Sequence, residues 1–128
     1  KQDKQLEVPK YLSPRTDTPK QTLGHGGCFG CIYSVRGAGG YQMFGVTPTP
    51  IYDPQQSLSY FKDSMVFFRT GDIVQFKPLL RTEYDRILEQ VDAGDYVPKT
   101  RPFSFDLQDY QADPEGYKKT MMEVLYVD

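Results

Sequence analysis

The stretch from Gly24 to Pro50 constrains this chain more than any other. Glycines at 24, 26, 27, 30, 37, 39, 40 and 45 punctuate it, and Pro48 and Pro50 close it. Two short apolar runs, Cys31–Val35 and Tyr41–Val46, flank the tetrad Gly37-Ala38-Gly39-Gly40. Two strand-like runs around a glycine-bearing loop of this length predict a β-hairpin. Glycine serves such a loop in two ways. It takes φ > 0 without steric cost, and it lets backbone come close to a ligand. The residues alone leave both uses open, and a plain hairpin turn is the simpler one. The loop is not a phosphate loop, because no Gly-Lys-Ser/Thr follows it.

The bulk properties bound the rest. At 128 residues the chain suffices for one domain and one core. Aromatic content of 14% argues for a packed core rather than disorder. Net charge is −2 and the positive charges are scattered, which argues against nucleic acid as a partner. No apolar run approaches the ~20 residues of a membrane helix, so no membrane partner is expected and the location read from the sequence is cytoplasmic. The sequence opens on Lys1 rather than Met, as a piece of a longer protein or a processed chain would.

Two cysteines and one histidine allow few metal or disulfide schemes. Cys28 and Cys31 form C-x-x-C, but Ile32 and Tyr33 after them favour a strand over the helix of a thioredoxin-type motif. In an extended segment residues three apart face opposite ways with α-carbons roughly 10 Å apart, too far for a disulfide. A zinc site from His25, Cys28 and Cys31 lacks a fourth ligand. Half-buried free thiols on a strand are the expectation, with no metal.

Taken in order, Lys1–Gln5 is polar, Leu6–Pro9 suits a short strand, and Tyr11–Thr22 reads as an irregular crossing segment. After the hairpin, Ile51-Tyr52 resumes a strand, Met65–Phe68 is another, and Ile73–Lys77 alternates like a third. Phe103, Phe105 and Leu107 alternate as a strand with one buried face. Two helices are expected. Thr82 caps one whose apolar face is Tyr84, Ile87, Leu88 and Val91, with Gly94 at its C-terminal left-handed position. Asp113-Pro114 opens the other, with Tyr117, Met121, Val124 and Leu125 on its apolar face. Seven or eight short strands and about two flanking helices give a mainly β chain, folded as a closed or partly closed barrel.

Several side chains are candidates for chemistry. Arg36 beside the glycine loop suits bidentate binding of a carboxylate or carbonyl, although such arginines are commonly solvated strand ends. One of Tyr41 and Gln42 faces inward, so Gln42 is either a ligand contact or a satisfied core amide. His25, set between glycines in a presumed loop, is a candidate acid or base, although lone loop histidines are usually only exposed.

Tyr33 through Pro48, with Gly39-Gly40-Tyr41-Gln42 and Gly45-x-Thr47-Pro48, resembles the KipI-like module, also called allophanate hydrolase subunit 1. Upstream, Val8-Pro9-Lys10 and Pro14-Arg15-Thr16-x-Thr18-Pro19 resemble the family's lead-in. Downstream, Thr70-Gly71-Asp72-Ile73-Val74-Gln75-Phe76-Lys77-Pro78 resembles its P-G-D-x-V-x-F-x-P strand. Arg81-Thr82-Glu83-Tyr84-Asp85 and the tail from Arg101-Pro102 resemble the longer, amidolyase-type members. The resemblance covers about residues 6–128 and rests on the ordered series, since no single motif is diagnostic.

The resemblance implies a cyclophilin-like barrel over residues 24–128 with a C-terminal helical extension, preceded by a tail and lead-in over 1–23. It implies one wall of a carboxyltransferase or 5-oxoprolinase cleft in an ATP-dependent enzyme processing a small amide, inactive alone. The partner would be a homologous second module, subunit 2-like. This chain would bind no cofactor directly, while biotin on a separate domain and ATP would serve the parent enzyme. The implied substrate-binding residues are Arg36, Gly39, Gly40, Tyr41, Gln42 and Thr47, and the resemblance assigns no catalytic residue. Where many family members read Gly-Arg-Thr-Pro this chain reads Gly45-Val46-Thr47-Pro48, so no charge role passes to Val46. A second reading is a KipI-like regulator that inhibits a histidine kinase or binds another protein. Prolyl isomerase activity would rest on fold analogy alone.

Overall fold

The computed structural model describes residues 4–126. They form two compact units. The first runs to Asp72 and resumes over Pro78–Pro98; the second holds Ile73–Lys77 and the described residues from Lys99 on.

All five strands lie in the first unit: β1 (Arg15–Thr18), β2 (Thr22–Gly26), β3 (Phe29–Ile32), β4 (Gly37–Gly39) and β5 (Gln42–Val46). They build a three-stranded antiparallel sheet in the order β3-β2-β5 and a two-stranded antiparallel sheet of β1 with β4. The central strand β2 carries the burial, with Thr22, Leu23, Gly24 and Gly26 all buried. A register shift between Leu23 and Gly24 leaves Phe44 as the extra residue of a bulge on β5.

The expected hairpin across Gly37–Gly40 does not form. Gly37–Gly39 is itself a strand paired with β1, and the two apolar runs meet β2 rather than each other. The tight hairpin lies earlier, between β2 and β3, where Gly26 pairs with Phe29 across Gly27-Cys28. Gly27 has φ 59° and Cys28 has no positive φ, the pattern of a II′ turn. Cys28 is therefore a turn residue, and only Cys31 lies on a strand. Both thiols are free.

Residues 47–72 complete the first unit as ordered loops. Tyr52 and Val66 make an isolated bridge where two strands were expected, with Asp53 N–H donating to the Met65 carbonyl and Phe67 N–H to that of Ile51. Phe61 and Leu58 are buried there. The Tyr60 ring packs on Phe61 and meets Phe67 and Tyr96 edge-on. Asp53 gathers the loop by accepting hydrogen bonds from the Gln55 and Ser57 amides and the Ser57 hydroxyl.

Helix α1 (Arg81–Ala93) turns Tyr84, Ile87, Leu88 and Val91 half-inward, on the expected face. It starts one residue before Thr82, because the Glu83 carboxylate accepts the Leu80 N–H and fixes the first turn from inside the helix. Gly94 ends it at φ 80°, in the left-handed conformation.

In the second unit, Ile73–Lys77 and residues 101–105 lie outside any sheet. Alternation supplies a face, but a strand also needs a ladder neighbour for its backbone. Asp106 caps a short helix instead, accepting from the Gln108 and Asp109 amides, so α2 (Leu107–Ala112) begins where a strand was expected. Helix α3 (Pro114–Tyr126) opens on Pro114, and Asp113 accepts the Gly116 N–H. Phe105, Tyr110 and Tyr117 pack ring against ring beside it. The described residues thus hold three α-helices rather than about two. They hold no closed barrel, since β3 and β5 each end the larger sheet.

Candidate functional site

The glycine-rich segment converges on Tyr41, but not as a loop tip. Gly39 is buried on β4. A Cβ there would collide with the Tyr33 hydroxyl and stand 2.7 Å from Thr18 Oγ1. None of Gly37, Gly39 and Gly40 has a positive φ. Gly39 is therefore demanded by close packing inside the chain. Gly40 is different, since a Cβ there would rest at ordinary contact, 3.6 Å from Pro14 Cβ and from the Tyr11 carbonyl oxygen. Neither backbone conformation nor internal packing requires a glycine at 40.

Tyr41 is anchored through its backbone. Its carbonyl accepts from Arg15 Nη2 at 2.8 Å, and its N–H donates to the Tyr33 hydroxyl at 3.4 Å. The Lys10 ammonium stands 4.7 Å above its ring centroid. Gly26 leaves room below, where a Cβ would stand 2.8 Å from both Lys10 Cγ and Tyr41 Cδ1. Arg15 also faces the Tyr11 ring at 5.8 Å. Cys31 lies in the same region, and burial pushes its thiol pKa up against the lowering pull of the Gly24 backbone, Arg15 and Lys10.

The other sequence candidates have their polar groups engaged within the chain. Gln42 donates from Nε2 to the Pro9 carbonyl at 3.2 Å. The Thr47 hydroxyl accepts the Thr49 N–H, and its carbonyl accepts from Gln21 Nε2. Arg36 makes a bidentate pair with Asp17 at 2.6 and 2.7 Å, both side chains exposed. That hydrogen bond holds the Asp17 carboxyl below its usual range. Arg36 is thus occupied by a carboxylate of its own chain. His25 lies on β2 rather than in a loop. It is half-buried, its ring meets Phe44 edge-on, and its Nε2 is buried without a hydrogen-bond partner among the described residues.

Lys10 and Arg15 do not stand out as site residues in the sequence. Both fall in lead-in motifs, and only the fold brings them to Tyr41. A separate pocket of about 460 Å³ lies among Lys20, Pro50, Tyr52, Leu58, Val91 and Gly94, and contains none of the sequence candidates.

Residues 1–61, which include this whole site, match the family model of the carboxyltransferase domain, subdomains C and D. This segment belongs to the carboxyltransferase-domain family. The chain is 33% identical over 101 residues to a urea amidolyase of Lachancea kluyveri, covering 79% of this chain and 6% of that protein. It is 29% identical over 87 residues to a 5-oxoprolinase subunit of Bacillus subtilis (strain 168), covering 68% of this chain and 34% of that protein. Among solved structures, the K. lactis urea amidolyase matches with a TM-score of 0.75 at 28% identity, over 91% of this chain and 7% of that one. The chain therefore spans a small fraction of the urea amidolyases and about a third of the 5-oxoprolinase subunit. Among the described residues no helix is long and apolar enough to cross a membrane.

Proposed function

We propose that this carboxyltransferase segment forms one wall of the active cleft of an ATP-dependent amide-processing enzyme, of the urea carboxylase and urea amidolyase kind or the 5-oxoprolinase kind. The cleft wall is the surface around Gly39, Gly40, Tyr41 and Gln42, with Thr47 at its margin. Arg36 is paired with Asp17 and is not counted in this proposed wall. The observation that carries this reading is Gly40. A Cβ fits there at ordinary contact distance, so we read the glycine as serving something outside the chain that approaches this backbone. A homologous second module faces this wall across a small amide substrate. Exposed Phe29, Met43, Phe44 and Val46 on the larger sheet support such a partner. The strands belong to a cyclophilin-like barrel whose remaining strands lie elsewhere in the module. Biotin and ATP are handled by other domains, and the setting is cytoplasmic.

One wall leaves substrate wet and its polar groups poorly preorganised. The chain alone is therefore expected to consume no ATP in response to urea or 5-oxoproline, and the assembly with a second module and the ATP-using domain to respond to one of them. An assembly inert to both, together with inhibition of a histidine kinase by the chain alone, would favour the regulatory reading.

A further inference from the structure

Lys10 and Arg15 converge on one residue, and neither is ion-paired to a described residue. By contrast, Arg36 pairs with Asp17, Arg81 with Asp85 and Lys118 with Glu115. Arg15 uses Nη2 on the Tyr41 carbonyl and Nε on Thr18 Oγ1, which leaves Nη1 without a hydrogen bond to any described residue. Lys10 packs its stem against Gly26 and its ammonium over the Tyr41 ring, so all three ammonium hydrogens remain for another acceptor. A Cβ at Gly24 would meet Tyr41 and Cys31, and one at Gly26 would meet Tyr41 and Lys10, so Lys10, Tyr41 and Cys31 share one face of the sheet.

We propose that Lys10 and Arg15, which meet at Tyr41, form a binding site for a planar carboxylate-type anion carried by a small ligand. The proposal rests on the cleft reading above and names the chemistry that this wall takes. Two unneutralised cations repel each other, and an anion between them removes that cost. A guanidinium offers paired donors in the plane that two carboxylate oxygens occupy, and the ammonium adds a point charge. Tyr41 holds Lys10 in place through its ring and Arg15 through its carbonyl, so neither cation has to be ordered from solvent on binding.

The test is an NMR titration of the 15N-labelled chain with sodium acetate, against sodium chloride at matched ionic strength. Saturable shifts with acetate at the Gly26, Gly40, Tyr41 and Gln42 amides, absent with chloride, are expected. Lys10→Gln should weaken apparent acetate affinity about two- to five-fold, as for a partly exposed charge, while Lys10→Arg should retain it. Arg15→Lys keeps the charge but loses the fork, and should also weaken binding. Arg36→Gln should leave affinity unchanged. Equal shifts with chloride, shifts centred on Arg36, or full affinity in Lys10→Gln would overturn the proposal. Well-dispersed spectra of each variant establish that it is folded. The binding readout uses no turnover, so it can fail while the cleft assignment stands, and the converse holds.

Discussion

Tyr41 illustrates how much of this site is set by single contacts. Its neighbour Cys31 gives a direct report on the two cations. Burial raises the Cys31 pKa above its ordinary value of 9.0, while Arg15 and Lys10 pull it back. The folded chain therefore holds this proton to higher pH than the unfolded chain does. The associated stability is fully present below about pH 9 and is lost as pH rises through the folded value. Alkylation of Cys31 by iodoacetamide, followed by mass spectrometry against pH, should show a midpoint above 9.0. Lys10→Gln should move that midpoint higher still; a midpoint that falls would place Lys10 elsewhere. The glycines divide in the same way. Gly39→Ala drives a methyl into Tyr33 and Thr18 and should cost about 1–3 kcal/mol. Gly40→Ala should stay within about 0.5 kcal/mol. Urea denaturation midpoints of the two variants separate these outcomes, and equal losses would mean that 40 is also packed.

At the scale of elements, helices are legible in the sequence and strand partners are not. The faces of α1 and α3 follow from i, i+3, i+4 spacing, and Gly94 and Asp113-Pro114 mark their ends with local chemistry. The Gly37–Gly40 hairpin fails because its flanking runs find their partner in β2, whose glycines at 24 and 26 do not read as a strand. Those glycines fit β2 because a Cβ at either would meet Tyr41 at 3.0 Å or less. The α1 face is half-buried, with no residue fully buried. Leu88→Ala should therefore cost about 1–2 kcal/mol, below the range for a full core position. Glu89→Ala on the exposed face should cost less than about 0.5 kcal/mol. Thermal or chemical unfolding measures both, and equal small losses would mean that α1 is not docked on its unit.

Across the whole molecule, contiguity decides what the sequence reveals of the site. Gly39 to Gln42 sit together in the chain, and together they stand out in it. Arg15 reaches Tyr41 across 26 residues, and no local pattern announces such a pairing. Arg36, adjacent to the loop in sequence, is drawn to Asp17, which the pairing of β1 with β4 brings near. The central claim is that Gly40 is a glycine for the sake of something outside the chain. It is tested most directly by steady-state ATP consumption, with urea and with 5-oxoproline, in the assembled enzyme carrying Gly40→Val. The account predicts that turnover is lost while the far-ultraviolet circular dichroism of the variant chain matches that of the parent. Wild-type turnover in that variant would contradict it and remove the cleft from this surface.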